Sequence, residues 1–302
     1  MPRFAYRWVD VFTTERFGGN PLAVFPDARG LDPDQMQRIA FELHLSESTF
    51  VVPTERRDCD VRVRIFTPHA EIPMAGHPTV GTAFVLGELA RSGSGDPSWG
   101  DRVVFEEGVG PVPVERVRGD DGTTRWRMTQ PRPRFGGSAR PAAVAGALGL
   151  DVADLDASRP IESVATGLPF LCVPLRSLDA LARARTSIER WSPVEAAHDG
   201  AQPYLFVRTG LGAARARMFA PGHGIAEDPA TGSAAGPLGA YWLAHDLLVP
   251  DPSGVAQLTI TQGVEMGRPS TLFVAVEGRG REATAVRVAG SCVAVASGEI
   301  EL

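Results

Sequence analysis

The chain has 302 residues, of which 43% are hydrophobic and 22% are charged, and this composition is typical of a soluble globular protein that could hold two domains. The net charge of −6 gives no electrostatic support for binding nucleic acid. All 30 basic residues are arginine, which excludes chemistry that requires a lysine amine, such as Schiff-base catalysis or a P-loop.

The N-terminal segment and the cysteines do not indicate export, and no segment indicates membrane insertion. The N-terminal segment lacks the apolar core of a signal peptide, and no run of about 18 apolar residues is present. Cys59, Cys172 and Cys292 lie far apart in the sequence and form no zinc or disulfide pattern. We therefore expect free thiols in a cytoplasmic protein with no membrane partner.

The elements of the N-terminal half can be predicted from short-range patterns. Asp32 and Pro33 are typical of a helix start, and the apolar spacing after them predicts a helix that ends near residue 45. A mostly apolar stretch predicts a second, buried helix over residues 79–89. Alternating or apolar runs predict strands over residues 8–12, 22–25, 49–52, 59–66, 103–105, 112–117 and 126–128.

The C-terminal half shows the same mixture of elements. Residues 131–137 are the best candidate for a linker, and a helix is expected over residues 142–148. A second apolar helix is predicted over residues 230–243, and strands over residues 171–175, 204–207, 257–261, 271–276 and 292–296. Many short strands around one long helix in each half favour an α+β fold over a doubly wound parallel sheet.

Two blocks of the sequence are repeated. Residues 64–68 (RIFTP) are echoed by 217–221 (RMFAP), and residues 78–83 (PTVGTA) by 229–234 (PATGSA), with offsets of 153 and 151 residues. We therefore expect two pseudo-symmetric lobes, each with a strand that leads into a turn and a helix. Because a helix start offers unpaired N–H groups and the positive end of the helix dipole, two such starts would form an anion-binding cleft between the lobes.

Glu47 is the first candidate for catalysis. It follows Leu45 at a junction between helix and strand and precedes an apolar segment. Desolvation there would raise the pKa of its carboxyl toward the range that suits a general acid or base. The same position fits an exposed glutamate in a turn, and position alone favours that simpler interpretation.

His77 and Asp228 occupy equivalent positions in the repeat, each before a proline near a helix start. A helix N-terminus lowers the pKa of a nearby histidine, which then stays neutral and can donate a hydrogen bond. Either residue could instead serve only as a helix cap. Their equivalence favours a shared site, in which Gly76, Gly232 and Ser233 would offer N–H and hydroxyl groups to a carboxylate.

Other catalytic motifs are weak or absent in the sequence. His69, His77 and His223 form no i, i+4 pair, and no HExxH motif occurs, so no metal site is expected. No GxSxG motif supports a serine hydrolase.

The chain resembles the PhzF-like phenazine-biosynthesis family, whose members are relatives of diaminopimelate epimerase. The matching segments span nearly the whole chain: residues 10–25, 45–50 (LSESTF), 66–79, 227–234 (EDPATGSA) and 262–270 (QGVEMGRPS). The resemblance implies a diaminopimelate epimerase-like fold of two pseudo-symmetric lobes, each a mostly antiparallel sheet wrapped around a central helix. The lobes are expected over residues 1–130, with a last strand at about 289–302 that returns to this lobe, and over residues 131–288.

The resemblance also implies the chemistry. The family's own reaction isomerises trans-2,3-dihydro-3-hydroxyanthranilate by moving a proton, needs no cofactor and is commonly carried out by a homodimer. On this resemblance Glu47 is the acid/base, His77 and Asp228 bind and polarise the substrate, and the glycines and serine of the helix starts hold its carboxylate. Epimerase relatives use two facing cysteines, but this chain has Ala75 and a thiol-free segment 229–233 at those places.

We therefore expect a cofactor-free isomerase that moves a proton on a small carboxylate substrate, without the chemistry of a two-cysteine racemase. One alternative is an epimerase or lyase that acts on another small carboxylate. An alternative of another class is a non-catalytic anion-binding protein, which would hold carboxylates but exchange no carbon-bound proton.

Overall fold

The computed structural model describes residues 2–302, and the chain forms two compact units. Unit 1 contains the residues up to Thr129 together with Ala289–Leu302, and unit 2 contains Gln130–Val288. Both units combine helices with mostly antiparallel strands, so the predicted α+β class is confirmed. Within the described residues, no helix combines the length and the apolar character that crossing a membrane requires.

Unit 1 is built around a sheet and two helices. Its strands are β1 (Arg3–Val11), β2 (Asn20–Phe25), β3 (Glu47–Val52), β4 (Val61–Phe66), β5 (Glu71–Ile72), β6 (Arg102–Glu107), β7 (Gly110–Arg118), β8 (Thr124–Gln130) and β18 (Cys292–Glu301). Its helices are α1 (Pro33–Leu43), α2 (Gly76–Arg91) and a 3-10 turn at Pro97–Trp99. The strands neighbour one another in the order β18, β1, β2, β3, β4, β6, β7, β8, and only β2–β3 and β4–β6 are parallel. The short strand β5 pairs antiparallel with β4.

Helix α1 begins where the sequence predicts. The Asp32 side chain accepts a hydrogen bond from the Gln35 N–H, and the Gln35 side chain accepts one from the Asp32 N–H, so both N-terminal donors are satisfied. Pro33 fills the first helical position, where its missing N–H costs nothing. The helix ends at Leu43 because His44 adopts the left-handed conformation, with φ of 52°.

Helix α2 is the central helix of unit 1. It packs against β1, β2, β3, β6, β7 and β18 and is buried along most of its length, as the apolar sequence predicts. Gly81 permits this close packing, because a Cβ at that position would lie 2.6 Å from Leu22 and 2.7 Å from Val11. The helix begins at Gly76, earlier than predicted, because Pro78 is accommodated within its first turn.

Unit 2 repeats this arrangement with different strands. These are β9 (Arg134–Ser138), β10 (Glu162–Ala165), β11 (Pro169–Pro174), β12 (Gln202–Gly210), β13 (Ala213–Ala220), β14 (Ile225–Asp228), β15 (Val255–Gln262), β16 (Ser270–Arg279) and β17 (Glu282–Gly290). The helices are α3 (Pro141–Ala147), α4 (Leu178–Arg183), α5 (Ile188–Ala197) and α6 (Gly232–Ala244), with 3-10 turns at Val152–Asp154, Pro221–His223 and Val264–Met266. The central helix, α6, packs against β10, β11, β15 and β16.

The strands of unit 2 are mainly antiparallel. Antiparallel pairs join β9 with β10, β10 with β11, β12 with β13, β13 with β14 and β15 with β16. Parallel pairs join β11 with β12 and β13 with β15. Each unit therefore has a mostly antiparallel sheet with one central, buried helix, as predicted.

One sequence prediction for unit 2 is wrong, and several elements were not predicted. Residues 131–137 were expected to be a linker, whereas Arg134–Ser138 forms β9 and pairs with β10. All five residues of β9 are exposed, so the strand lacks the alternation of apolar and polar residues that would have revealed it. The helices α4 and α5 and the strands β10, β14 and β17 were also not predicted.

Candidate active site

Glu47 is buried at the start of a strand. It is the first residue of β3 and lies opposite Leu22 of β2 in the parallel register. Only 8% of the residue is exposed, so the interpretation as an exposed turn glutamate is wrong. A carboxylate in this place requires polar partners, because burial of an unpartnered charge is costly.

His77 supplies such a partner from the first turn of α2. Its Nε2 lies 3.3 Å from Glu47 Oε2, and its Nδ1 lies 3.0 Å from the side-chain nitrogen of Asn20. The amide nitrogen of Asn20 can only donate, so Nδ1 of His77 accepts. The hydrogen of the neutral ring is then on Nε2, which lies close to Glu47 but is not aligned with Oε2 for a hydrogen bond.

Burial also determines the charge of His77. The residue is 3% exposed, and desolvation lowers the pKa of its imidazole from 6.5 to about 3. His77 is therefore neutral at neutral pH and carries a hydrogen on Nε2, beside Glu47. This agrees with the neutral histidine expected from the sequence, although burial is the cause rather than the helix N-terminus alone.

Asn20 is a residue of this site that the sequence did not single out. It begins β2 directly after Gly19 and is completely buried. Gly19 has a φ of 60°, and a Cβ there would lie 2.3 Å from the carbonyl oxygen of Val11, so glycine is required at this turn. The available signal was an asparagine in a Gly-Asn-Pro turn at the edge of an apolar strand.

Asp228 is the corresponding buried residue of unit 2. It ends β14, is 5% exposed and accepts a hydrogen bond of 2.5 Å at Oδ2 from the Thr231 hydroxyl. The N-cap of α6 is Thr231 and that of α2 is Ala75, so neither Asp228 nor His77 is the cap residue of its helix. Neither residue therefore occupies the cap position that the simpler interpretation gave it.

A hydrogen-bond network orients Asp228. Tyr204 donates to Oε1 of Gln262 over 3.0 Å, and Nε2 of Gln262 donates to Thr231 Oγ1 over 2.9 Å and to the Asp228 carbonyl over 2.8 Å. Burial raises the pKa of Tyr204 well above its usual value, so its hydroxyl remains a donor. Thr231 receives a hydrogen from Gln262 and therefore gives its own to Asp228.

The start of each central helix lies beside one of these ionisable residues. Gly76 begins α2, next to His77, and Gly232 and Ser233 begin α6, after the Asp228 network. All of these residues are buried. The N–H groups of a first helical turn have no acceptor within the helix, which makes them suitable donors to an anion.

The cysteines lie outside these two groups of residues. Cys172 is on β11 and Cys292 begins β18, and burial raises the pKa of both thiols. Cys59 precedes β4, and burial is also the main cause of its raised pKa. A reactive thiol needs a lowered pKa, so these cysteines do not resemble catalytic nucleophiles.

Comparison with known proteins identifies the relatives of this chain. Residues 9–298 match the family described as phenazine biosynthesis-like protein. The trans-2,3-dihydro-3-hydroxyanthranilate isomerase of Pseudomonas aeruginosa is 39% identical over 300 residues, which cover 98% of this chain and 99% of that protein. A PhzF-family phenazine biosynthesis protein of Bacillus anthracis is 29% identical, with a TM-score of 0.87 and complete coverage of both chains.

A more distant structure shows how widely the fold is shared. A hydroxyproline epimerase of Agrobacterium vitis has a TM-score of 0.69 at 13% identity, over 99% of this chain and 91% of that one. At this identity the likeness concerns the fold alone, which is consistent with the expected diaminopimelate epimerase-like architecture.

Proposed function

The chain belongs to the phenazine biosynthesis-like protein family and is an isomerase of that family, and we propose that its substrate is trans-2,3-dihydro-3-hydroxyanthranilate. The observation that carries this proposal is the buried pair of unit 1. There a neutral His77 lies beside the carboxylate of Glu47, with 3.3 Å between Nε2 and Oε2. This pair provides a proton carrier beside a fixed hydrogen-bond donor.

We assign the proton transfer to Glu47. Its carboxylate takes a proton from one carbon of the substrate, and the electron pair of the broken C–H bond enters the conjugated ring. The protonated Glu47 then returns the proton to another carbon, so atoms and charge balance over the cycle. His77 is a poor proton acceptor because burial lowers its pKa to about 3.

The remaining site residues are assigned to substrate binding. Gly76, Gly232 and Ser233 are proposed to hold the substrate carboxylate through the N–H groups of the helix starts and the serine hydroxyl. Asp228 is proposed to bind and polarise the substrate. The network through Thr231 and Gln262 supports this role, because it fixes the orientation of the Asp228 carboxylate.

The proposal is tested by turnover of the purified chain with this substrate. Conversion is followed by absorbance, since the isomerisation changes the conjugation of the ring, and binding is measured by calorimetry on the same preparation. Turnover supports the proposed substrate. Binding without turnover would support the anion-binding alternative, and turnover of another carboxylate alone would support the epimerase or lyase alternative.

Glu47→Gln is the variant that tests the assigned role. Glutamine keeps the size and hydrogen bonding of glutamate but cannot carry the proton, so we expect turnover to fall by about 10²–10⁴ with little change in affinity. Glu42→Gln is the matched control, because Glu42 is an exposed glutamate on α1. If Glu47→Gln keeps more than about a tenth of the activity, Glu47 does not transfer the proton.

The cytoplasmic location and the homodimer remain predictions. Cell fractionation tests the location, and sedimentation of the purified chain tests the assembly.

A further inference from the structure

Glu107 is a buried carboxyl group beneath the start of α2. It is the last residue of β6 and is 5% exposed. Its Oε1 lies 2.5 Å from the hydroxyl oxygen of Thr79, which belongs to the same helical turn as His77. Among the described residues, Glu107 Oε2 has no hydrogen-bond partner.

The single hydrogen of the Thr79 hydroxyl indicates the protonation state of Glu107. The Thr79 hydroxyl oxygen is also 2.7 Å from the carbonyl oxygen of Ala75, which can only accept. A hydroxyl carries one hydrogen, so it cannot donate to both oxygens at once. Both contacts are hydrogen bonds if Thr79 donates to Ala75 and a protonated Glu107 donates to Thr79.

The surroundings of Glu107 favour the protonated form. Burial raises its pKa to about 8, and only the hydrogen bond with Thr79 opposes this effect. On the neighbouring strands, the residue opposite Glu107 is Gly110 of β7, and Arg62 of β4 lies opposite Glu106 instead.

The titratable groups on the same elements also leave Glu107 without a charged partner. Glu106, the preceding residue on β6, accepts hydrogen bonds from the hydroxyl of Thr54 and the N–H of Glu55. His77 on α2 is neutral because burial lowers its pKa to about 3. An ionised Glu107 would thus be a buried charge without an ion pair, which is unfavourable.

The end of β6 also supports the loop that leads into α2. Gly108 follows Glu107, and a Cβ at Gly108 would lie 2.7 Å from the Cα of Pro73. The backbone there is in direct contact with the segment 73–75, whose last carbonyl accepts the Thr79 hydrogen bond. Glu107 therefore contacts the first turn of α2 through Thr79, and Gly108 lies against the segment that leads into that turn.

We propose that Glu107 is a protonated positioning residue, which holds the start of α2 and with it His77 through the chain Glu107–Thr79–Ala75. When Glu107 loses its proton, the single hydrogen of Thr79 turns toward the carboxylate, and the Ala75 carbonyl keeps only the longer bond of 3.4 Å from the Thr79 backbone N–H. The support of the His77 turn is then weakened at alkaline pH. The effect on turnover rests on the proposed function, but the protonation of Glu107 does not.

Glu107→Gln is the informative variant. Its amide can donate to Thr79 as the protonated acid does, but it does not titrate. Glu106→Gln is the matched control, since it removes the neighbouring carboxyl of the same strand. Infrared spectra are recorded at about pH 6 and about pH 10, on either side of the raised pKa.

We expect the wild-type chain and Glu106→Gln to show the carbonyl band of a protonated carboxylic acid at the lower pH, and Glu107→Gln to lack it. In Thr79→Val the acid loses its acceptor, so this band should shift to higher frequency, which provides a second test if Glu107→Gln does not fold. A wild-type chain without the band, or a band that Glu107→Gln retains, overturns the protonated state.

Turnover against pH tests the positioning role separately. At about pH 10, some two units above a pKa of about 8, roughly one Glu107 in a hundred keeps its proton. We therefore expect wild-type turnover to fall up to about hundredfold at this pH, and Glu107→Gln to keep most of its activity. An identical alkaline loss in both proteins would refute the positioning role. If the wild-type chain does not turn over the proposed substrate, the proposed function fails while the infrared test still stands.

Discussion

The side chain of Asn20 should control which nitrogen of His77 carries the hydrogen. In the wild-type chain the Asn20 amide donates to Nδ1 over 3.0 Å, which places the hydrogen on Nε2, 3.3 Å from Glu47 Oε2. In Asn20→Asp the new carboxylate can only accept, so it favours a hydrogen on Nδ1. Nε2 then presents a lone pair to Glu47 and can no longer donate.

The pKa of His77 and the strength of a charge-assisted hydrogen bond determine the expected size of this effect. The difference between the usual pKa of 6.5 and about 3 corresponds to ~5 kcal/mol against protonation of His77, so the wild-type ring is neutral near pH 7. A neighbouring carboxylate raises a pKa by about 1–3, which still leaves the ring mostly neutral. A charge-assisted hydrogen bond contributes about 1.5–3 kcal/mol, enough to change the ratio of the two neutral forms by roughly tenfold or more.

Nitrogen NMR of histidine-labelled protein measures this ratio directly. We expect wild-type His77 to carry its hydrogen on Nε2 across neutral pH, and Asn20→Asp to carry it on Nδ1 with turnover reduced by about 10². The His77→Gln spectrum assigns the resonances. A wild-type His77 with its hydrogen on Nδ1, or one that becomes protonated close to pH 6.5, would refute the argument.

Three further results are expected. Replacement of all three cysteines with serine should leave turnover within about tenfold, since none lies at a helix start; loss of turnover in a folded protein would contradict this. Thr231→Val should lower the free energy of unfolding by about 1–3 kcal/mol, because the buried Asp228 loses the hydrogen bond from the Thr231 hydroxyl. Thr231→Ser keeps a hydroxyl and should retain the stability of the wild-type chain. Equal melting temperatures of the two variants would contradict the network. Ser233→Ala should raise the KM more than it lowers kcat if the hydroxyl only binds the substrate carboxylate, and a change in kcat alone would argue against that role.

The elements that the sequence predicted well have local causes. Helix α1 could be recognised from Asp32 and Pro33, because capping depends on residues within one turn. Helices α2 and α6 could be recognised because each is apolar over most of its length, as a central buried helix must be. The exposed strand β9 gave no such signal, since its pairing with β10 depends on residues far away in the chain.

In the candidate site too, some residues could be predicted from the sequence and others could not. Glu47, His77 and Asp228 could be singled out because they lie at junctions and in a repeat that is visible in the sequence. Their hydrogen-bond partners could not, because Asn20 is separated from His77 by 57 residues and Gln262 from the Asp228 carbonyl by 34. An amide at either position is compatible with an ordinary turn or strand, and only the fold shows which group it contacts.

The buried side-chain amides of Asn20 and Gln262 explain how two similar helix starts can present different hydrogen-bonding groups. In unit 1 the amide of Asn20 donates to Nδ1 of His77, which leaves the hydrogen of that ring on Nε2, 3.3 Å from Glu47 Oε2. In unit 2 the amide of Gln262 donates to Thr231, and this hydroxyl passes its hydrogen to Asp228. Each amide therefore determines where the hydrogen of the group beside a carboxylate lies: on Nε2 of His77 near Glu47, and on the Thr231 hydroxyl that donates to Asp228. Since a buried carboxylate beside such a donor is held in one orientation, exchange of either amide for a carboxylate should move this hydrogen and disturb the neighbouring acid.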